Sequence, residues 1–222
     1  MSFGRNLQYL RRLNRTMTQE SLAERLNVSR QTVSKWETDE AVPEMDKAIA
    51  LCGIFSVSLD NLFRDELDAC DGQYSNLRVE EVPPLRCVRY AVISQDPEGD
   101  AIGHVRSIAR SCGVEKPRVI GWDFPCVSTE QSNVHGMHGY EAAWVLPEGM
   151  TVEGHRVHEQ GAHRYAAIHV EEPFKAPFSV IPRAYRTLMD YMRVNGLTHC
   201  ERDVLPCFET DGDSMDIYIA CE

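Results

Sequence analysis

The 222-residue sequence predicts two domains: an all-α domain of five helices, followed by an α+β domain of two β-α-β-β repeats with an antiparallel sheet. Three observations predict this arrangement. Apolar residues recur at helical spacing early in the chain, strand-like alternation replaces that spacing further on, and the order strand, helix, strand, strand then occurs a second time. We place the first domain at residues 1–65, a linker at 66–76 and the second domain at 77–222.

The first two helices are predicted from apolar spacing and from capping residues. The leucines of LQYLRRL (residues 7–13) repeat at helical spacing and indicate the first helix. Thr18 can cap the second helix, and Ser21 followed by Glu24 offers an alternative capping signal. Asn27 is predicted to end that helix, because asparagine tolerates the left-handed conformation that glycine usually supplies there.

Three further helices complete the first predicted domain. Ser29 caps the third helix, in which Val33 and Trp36 are predicted to face the core. The fourth helix is predicted to start at Pro43. Its apolar side is predicted to comprise Met45, Ala48, Ile49, Leu51 and Cys52. The fifth helix is predicted in SLDNLF (58–63). A loop of about three residues separates the second and third helices, which is the helix-turn-helix spacing.

The string TQESLAERLNVSRQTVSKWE (residues 18–37) closely resembles the Cro/cI-type repressors, also called the XRE family. The resemblance covers about residues 7–63. It implies the five-helix lambda-repressor-like fold, with the third helix in the major groove of double-stranded operator DNA. It also implies a buried ion pair between Arg12 and Glu37, which match the family positions that join the first and third helices.

If Val33 and Trp36 face the core, the remaining residues of the third helix face outward and can reach DNA. Arginine and lysine can read guanine edges, and glutamine can bridge adenine. Gln19, at the start of the second helix, resembles the family's phosphate contact. The predicted DNA-binding residues are Gln19, Arg30, Gln31, Ser34 and Lys35. The alternative interpretation of the third helix is a solvated surface without DNA contacts.

The distribution of charge agrees with a single element that contacts DNA. Residues 1–36 hold seven Lys/Arg and two Asp/Glu, whereas the whole chain has a formal net charge of −11. The acidic balance argues against non-specific nucleic-acid binding by the whole molecule. Because one such domain contacts one half-site, a homodimer that binds two half-sites is implied.

The second domain is predicted from two successive sets of strand and helix patterns. The segments of the first set are residues 77–94, 100–114, 118–125 and 140–147. The segments of the second set are residues 152–170, 179–197, 203–210 and 214–222. The string RYAVIS (89–94) also resembles RYAAIH (164–169). Two units of about 70 residues suggest an internal duplication with a ligand cleft between the halves.

This second half resembles the gyrase-inhibitor-like (GyrI-like) effector-binding domain over about residues 77–222. The motifs that carry the resemblance are VIGWDFP (119–125), YEAAWVLPEG (140–149), the G-x-x-R-Y-A at 161–166 and Phe208-Glu209. The chain departs from the family pattern in two places. Glu-Glu-Pro at 171–173 replaces a frequent Gly-Pro, and the tyrosine usually found near the late glutamate is absent. The resemblance implies a small-molecule effector, often bulky, apolar and cationic.

Aromatic walls and a buried carboxylate would suit such an effector, because the rings supply area and cation-π attraction and the carboxylate supplies the counter-charge. By resemblance the carboxylate is Glu209, with Asp123 at the matching position of the first repeat. The candidate walls are Trp122, Tyr140, Trp144 and Phe208. In the alternative, the aromatics are ordinary core and Glu209 lies at an exposed strand end. Alternation places Tyr140 and Trp144 on one face, which looks either into the cleft or into a helix-packed core.

Neither metal binding nor catalysis is predicted. Two His-x-x-His pairs, at 135–138 and 155–158, have ligand-like spacing. Neither pair lies on a predicted helix, and on a strand residues three apart point to opposite faces. No G-x-S-x-G, phosphate-loop or dinucleotide motif occurs, so no catalytic residue and no cofactor are predicted. The 8 cysteines form no C-x-x-C pair and are predicted to be free thiols.

The sequence therefore predicts a cytoplasmic, sequence-specific transcription regulator that senses a small, lipophilic or cationic molecule. No apolar run approaches the about 18 residues that a membrane helix needs. Two alternatives stay open. In one, the second domain of a repressor only dimerises. In the other, it is a GyrI-like small-molecule hydrolase fused to the DNA-binding domain, with Glu209 as a base.

Overall fold

The structure, a computed structural model, describes residues 3–13, 17–64 and 74–222. The chain divides into two compact units. The first unit comprises Met1–Leu77 and Pro182–Thr198, and the second comprises Arg78–Ile181 and His199–Glu222. The chain therefore passes between the units at three points. Residues 66–73 of the predicted linker lie outside the described residues, and the predicted domain boundaries stay predictions.

Five helices in the N-terminal part of the first unit confirm the predicted all-α domain. They are α1 (Phe3–Leu13), α2 (Gln19–Leu26), α3 (Arg30–Glu37), α4 (Met45–Phe55) and α5 (Leu59–Phe63). The helices share one apolar core, in which Leu7, Leu22 and Leu51 are fully buried. Val33 and Trp36 lie in the same core, as predicted.

Local hydrogen bonds set the ends of α2 and α3. The Thr18 side chain accepts from the Ser21 backbone N–H, while the Thr18 N–H donates to Ser21 Oγ, so the two residues form one reciprocal cap. Thr18 therefore starts the helix, and the alternative start at Ser21 is not used. Asn27 has a φ of 52° and ends α2 in the left-handed conformation, as predicted. Ser29 Oγ accepts from the Thr32 N–H and caps α3, also as predicted.

The fourth helix differs from its prediction at its start and on one side. It begins at Met45, two residues after Pro43, because Glu44 is extended with a ψ of 159° and serves as the N-cap. Ala48 lies inside the core, but Met45 and Ile49 are 66% and 58% exposed. The apolar side of α4 is therefore narrower than the sequence pattern predicts.

The second unit contains most of an eight-stranded sheet. The strands are β1 (Tyr74–Val82), β2 (Leu85–Ser94), β3 (Arg118–Phe124), β4 (His138–Val145), β5 (Val157–Gln160), β6 (His163–Val170), β7 (Cys207–Thr210) and β8 (Met215–Ala220). Its helices are α6 (Pro97–Ser111) and α7 (Thr129–Asn133), and α8 (Pro177–Val194) begins in this unit. The predicted α+β architecture with an antiparallel sheet and two repeats is confirmed. Each repeat has one strand more than predicted, because residues 77–94 form β1 and β2 and residues 152–170 form β5 and β6. Helix α7 was not predicted.

The order of the strands in the sheet is β1-β6-β8-β7-β3-β4-β2-β5. This order is symmetric about its centre, where β7 and β3 pair antiparallel through Ile120 with Thr210 and Gly121 with Glu209. Each repeat also begins with a strand that pairs with the other repeat, since β1 lies beside β6 and β5 lies beside β2. The exchange of first strands joins the two repeats into one sheet.

The two similar strings RYAVIS and RYAAIH do not occupy equivalent positions in the sheet. Tyr90 of β2 stacks on His104 of α6, with ring centroids 3.8 Å apart. Tyr165 of β6 lies on the opposite face, in the cluster that contains Phe208. The matching residues of the two strings therefore point to opposite faces of the sheet, and the resemblance of the strings does not give the correct alignment of the two repeats.

Helix α8 begins in the second unit and ends in the first. Its last residue, Val194, packs in the core cluster of the N-terminal helices. Asn195 Nδ2, just beyond the helix, donates to the carbonyl oxygen of Leu13 at 3.2 Å. The sequence pattern assigned this helix wholly to the second domain and did not indicate the contact. In the described ranges, no helix is long and apolar enough to cross a membrane.

Two helical glycines of the first unit differ in the space around them. A Cβ built on Gly4, in α1, would lie 2.5 Å from the carbonyl oxygen of Trp36 and 2.7 Å from that of Glu37. A Cβ built on Gly53, in α4, would meet nothing within 4 Å. The close approach of α1 to the end of α3 therefore requires glycine at position 4.

Gly4→Ala should lower the free energy of unfolding by about 1–3 kcal/mol, because backbone atoms must move to admit the methyl group. The matched control, Gly53→Ala, should raise it by up to about 1 kcal/mol, because alanine is the better helix former. Urea unfolding followed by circular dichroism measures both changes. Equal effects of the two substitutions would contradict the close contact.

Candidate functional site

Helix α3 presents most of the predicted DNA-binding residues to solvent. Arg30, Gln31 and Lys35 are exposed, while Ser34 is half-buried beside them. Arg30 Nε lies 3.4 Å from Glu20 Oε1, and both side chains are 63% exposed. Such a solvated pair contributes little stability and leaves the guanidinium accessible. The outer surface of α3 therefore carries donors that match base edges and phosphates.

The carboxylate of Glu37 connects three helices at the back of this surface. Glu37, at the end of α3, is 7% exposed. It accepts from Arg11 Nε at 2.5 Å and Nη2 at 3.1 Å, and from Gln19 Nε2 at 2.9 Å. Arg11 Nη1 also donates to the Met17 carbonyl oxygen at 3.2 Å. These hydrogen bonds, which we call the Glu37 node, connect α1, α2 and α3.

The prediction that Arg12 pairs with Glu37 is wrong by one residue. Arg12 is exposed, and Arg11 makes the ion pair. The helical period explains the difference, since Arg11 follows Leu7 by four residues and lies on the same side of α1, whereas Arg12 points away.

Gln19 is half-buried at the start of α2, where it was predicted to contact a phosphate. Its amide nitrogen carries two hydrogens, and one of them is committed to Glu37. The bond fixes the orientation of the amide at the N-terminus of the helix, where an anion is favoured. The Glu37 node thus orients a predicted contact residue as well as stabilising the domain.

Arg11→Ala should lower the free energy of unfolding by about 2–4 kcal/mol, because it leaves a buried carboxylate poorly compensated. Arg12→Ala removes the same side chain from the exposed side of α1 and should stay within about 0.5 kcal/mol of the wild type. Denaturant unfolding of both variants tests the node. A cost for Arg12→Ala as large as that for Arg11→Ala would contradict it.

Tyr140 and Trp144 of β4 face a helix-packed core. They are 5% and 0% exposed and pack with Ala101, Val105 and Ala109 of α6. This answers the question that the alternation of β4 left open. We call the sheet face that carries Tyr140, Trp144 and Glu209 the helix-side face.

Glu209 lies on the helix-side face close to Tyr140. It is 8% exposed. Burial, followed by the charges of Glu209 and Glu98, raises the pKa of Tyr140 far above its usual value, so the phenol keeps its proton. Gly121 makes room for the phenol, since a Cβ there would lie 2.2 Å from Tyr140 Oη. The cavity that these residues line has a volume of about 10 Å³, which is room for at most one water molecule.

Trp122 and Phe208 lie on the opposite face of the sheet. They are 6% and 1% exposed and belong to a cluster with Tyr165 and Tyr218. The rings of Phe208 and Tyr218 stack with centroids 4.6 Å apart. We call the face that carries these four rings the aromatic face. Strand alternation therefore divides the five predicted effector residues between two faces and does not bring them into one pocket.

The aromatic face also carries an ion pair that was not predicted. Arg89 Nε and Nη2 donate to the two carboxylate oxygens of Glu141 at 2.6 Å and 2.8 Å. The Arg89 Cζ lies 4.9 Å from the centroid of the Trp122 ring. The side chains of Arg89 and Glu141 are 27% and 16% exposed. A sequence signal existed, because a charged residue interrupts the small and apolar residues of YEAAWV.

A cavity of about 380 Å³ opens beside Arg89. Its walls include Leu85, Cys87, Arg89, His158, Gln160 and Leu205. Gln160 holds one wall in place, since Nε2 donates to Tyr165 Oη at 3.0 Å and Oε1 accepts from the Leu205 N–H at 2.8 Å. The volume lies within the range of about 300–1,000 Å³ that is typical of small-molecule sites.

Two titratable side chains that line this cavity, those of Cys87 and His158, have shifted pKa values. Burial raises the pKa of the Cys87 thiol to about 11. Burial and then the charges of Arg89 and Arg156 lower the pKa of His158. Both shifts favour the uncharged form, so the thiol keeps its proton and the imidazole loses its second one.

The histidine pairs at 135–138 and 155–158 do not belong to a metal-binding group in the described residues. No group of three or more His, Cys, Asp or Glu side chains in residues 3–13, 17–64 and 74–222 could hold a metal ion. His135 precedes β4 in a turn, and His138 is exposed at its start. His158 instead lines the cavity beside Arg89.

The helices α1–α5 and their contacts form a domain of the helix-turn-helix class. Residues 7–62 match the family model described as Helix-turn-helix (HTH_3). The HTH-type transcriptional activator BcrR of Enterococcus faecalis is 42% identical over 66 residues, which are 30% of this chain and 32% of BcrR. The chain thus matches about a third of the length of this curated relative.

Two solved structures resemble a larger share of the chain at low identity. The cryo-EM structure of an EcmrR–DNA complex is 12% identical, covers 92% of this chain and 98% of that chain, and has a TM-score of 0.46. A hydrolase from Listeria innocua is 10% identical, covers 66% of this chain and 92% of that chain, and has a TM-score of 0.43.

Proposed function

We propose that the protein is a sequence-specific transcription regulator whose second unit binds a small molecule. The exposed surface of α3 carries the DNA half of this proposal. Arg30, Gln31 and Lys35 point to solvent on a helix whose opposite side is fixed by Val33 and Trp36. The role of BcrR as a transcriptional activator supports the same function for the matched segment.

Each α3 is proposed to read one DNA half-site. A homodimer would then place two recognition helices about 34–36 Å apart, one turn of the double helix, on a two-fold symmetric operator. Gln19 would bind a phosphate at the edge of the groove, held in position by Glu37. Base contacts from α3 would supply the specificity, and the phosphate contact would fix the register.

The double substitution Arg30→Ala, Lys35→Ala should strongly reduce specific binding to DNA while leaving the domain folded, because it removes exposed side chains only. We would select preferred duplexes from a random-sequence pool with the full-length wild type, then measure affinity for them by fluorescence anisotropy. The loss should reach about 100-fold, since each good base contact contributes about 1–3 kcal/mol.

The matched control is Lys47→Ala, Arg64→Ala, which removes two positive charges from the same unit but not from α3. This control should retain the selected sequence preference. Specific binding by the α3 variant, with a normal circular dichroism spectrum, would refute the assignment of α3 as the recognition helix.

The effector half of the proposal is supported by the cavity on the aromatic face. Its size suits a small molecule, and Leu85, Cys87 and Leu205 offer apolar contact. The position over Trp122 is already taken by a guanidinium, so the local electrostatics suit a cation. A lipophilic, cationic effector is therefore the class that we propose. Glu209, the carboxylate favoured from the sequence, could take part only if its small cavity opened.

Effector binding is proposed to act on DNA binding through the three chain connections between the units. A saturating concentration of N-methylquinolinium, a flat lipophilic cation, should change the affinity for the selected duplex by about fivefold or more, as coupling free energies of 1–3 kcal/mol imply. Glu141→Gln should reduce that response. The sensor half of the proposal fails if the affinity for the duplex is the same with and without N-methylquinolinium, at a concentration at which calorimetry shows the site to be saturated.

A further inference from the structure

We infer that Trp122 and Glu141 form a cation-binding site that Arg89 fills in the present conformation, and that a cationic effector binds by displacing Arg89. The inference rests on the proposed function for the existence of an effector. It adds the position that the cationic group takes and the residue that competes for it.

The three side chains come from neighbouring strands in fixed register. Trp122 of β3 pairs with Glu141 of β4, and Glu141 pairs in turn with Ala91 of β2. Arg89, two residues before Ala91, lies on the same face and reaches diagonally to the carboxylate. Its guanidinium thus has a carboxylate at its edge and an indole ring beneath it. A ring face and a carboxylate at such distances recognise organic cations in general, whether tethered or free.

Arg89 can leave this position without a change in the backbone. In the described part of the chain its guanidinium donates to Glu141 alone. Its side chain is 27% exposed and forms part of the wall of the 380 Å³ cavity. Rotation about the side-chain bonds would carry the charge to solvent, where water replaces the lost hydrogen bonds. The incoming cation would then compensate Glu141, so the carboxylate is never left buried without a partner.

The other half of the sheet contains a second arginine over an aromatic ring, Arg78, which has more hydrogen-bond and ion-pair partners than Arg89. Arg78 Cζ lies 5.5 Å from the centroid of the Tyr218 ring. Arg78 also donates to Glu80 Oε1 and Tyr218 Oη, both at 2.9 Å, and lies 3.5 Å from Asp216. With several partners and 15% exposure, this arginine is a structural element of its half. Arg89 has fewer partners and borders a cavity, so it is the exchangeable one.

The chemical class that fits is a compact organic cation attached to an apolar body. A guanidinium, a pyridinium or a quaternary aromatic ammonium can lie flat on Trp122 with its charge near Glu141. The body of the molecule would extend into the cavity against Leu85 and Leu205. An anion would meet the carboxylate of Glu141 once Arg89 moved, so displacement selects for positive charge.

Chemical rescue tests the site without knowledge of the natural effector. Arg89→Ala removes the resident cation, and ethylguanidinium reproduces the end of its side chain. In calorimetry, we expect Arg89→Ala to bind ethylguanidinium saturably, with an affinity at least about tenfold higher than that of the wild type, because the wild-type site is filled. Ethylguanidinium should also raise the thermal stability of this variant. The double variant Arg89→Ala, Glu141→Gln should lose this binding.

Arg86→Ala is the matched control. Arg86 lies on the same strand and pairs with Glu159 at 3.1 Å, but both side chains are more exposed. Ethylguanidinium binding by Arg89→Ala no tighter than by Arg86→Ala would overturn the inference. That failure would leave the proposed regulator intact. Conversely, successful rescue without any effect of N-methylquinolinium on DNA affinity would support the cation site and refute the sensor.

A measurement on the unaltered protein covers the case in which Arg89→Ala does not fold. The Nε–H of Arg89 is hydrogen-bonded to Glu141, so its nitrogen NMR signal should be shifted and protected from exchange. Saturation with N-methylquinolinium should move this signal to the position of a solvated arginine. The Nε–H signal of Arg78 should stay unchanged. An Arg89 signal that does not move at saturating probe would overturn the displacement.

Discussion

Neighbouring side chains of a β-strand point to opposite faces of the sheet, and this alternation decides which residues of the second unit can act together. In β3 it sends Gly121 to the helix-side face and Trp122 to the aromatic face, and in β7 it separates Phe208 from Glu209 in the same way. On the helix-side face, Gly121 leaves only enough room for the phenol of Tyr140. The residues that the sequence groups into one effector site are thereby divided between two faces of one sheet.

Features that depend on residues close in the sequence could be predicted for the first unit. The reciprocal cap of Thr18 and Ser21 and the left-handed end at Asn27 follow from local hydrogen bonding and backbone preference. The partner of Glu37 could not be fixed in this way. A family resemblance aligns positions, but the choice between Arg11 and Arg12 depends on the rotation of α1 about its axis and on its close packing against α3.

The second unit shows the same limit in a stronger form. Most strands and helices and their order could be predicted from periodicity, although two predicted strand segments each contain two strands. The residues that the resemblance picked are buried. It grouped Glu209 with Trp122 although one residue of offset in a strand reverses the face. The pair of Arg89 and Glu141 needed the register of two strands 52 positions apart, which no local pattern contains. Tertiary pairing therefore decides the candidate site, while local sequence decides the elements that carry it.

The chain uses two Arg–Glu pairs with similar bond lengths in different surroundings. The side chains of Arg11 and Glu37 are 14% and 2% exposed, and Arg11 also donates to the Met17 carbonyl oxygen. Breaking this pair therefore leaves a buried charge without a partner. Arg89 and Glu141 border a cavity and rest on a ring instead of a backbone acceptor. There the carboxylate can exchange one cation for another and stay compensated throughout. Because the Arg11–Glu37 pair is buried, it connects the helices permanently. Because the Arg89–Glu141 pair borders a cavity, a cationic ligand can compete with Arg89 for Glu141.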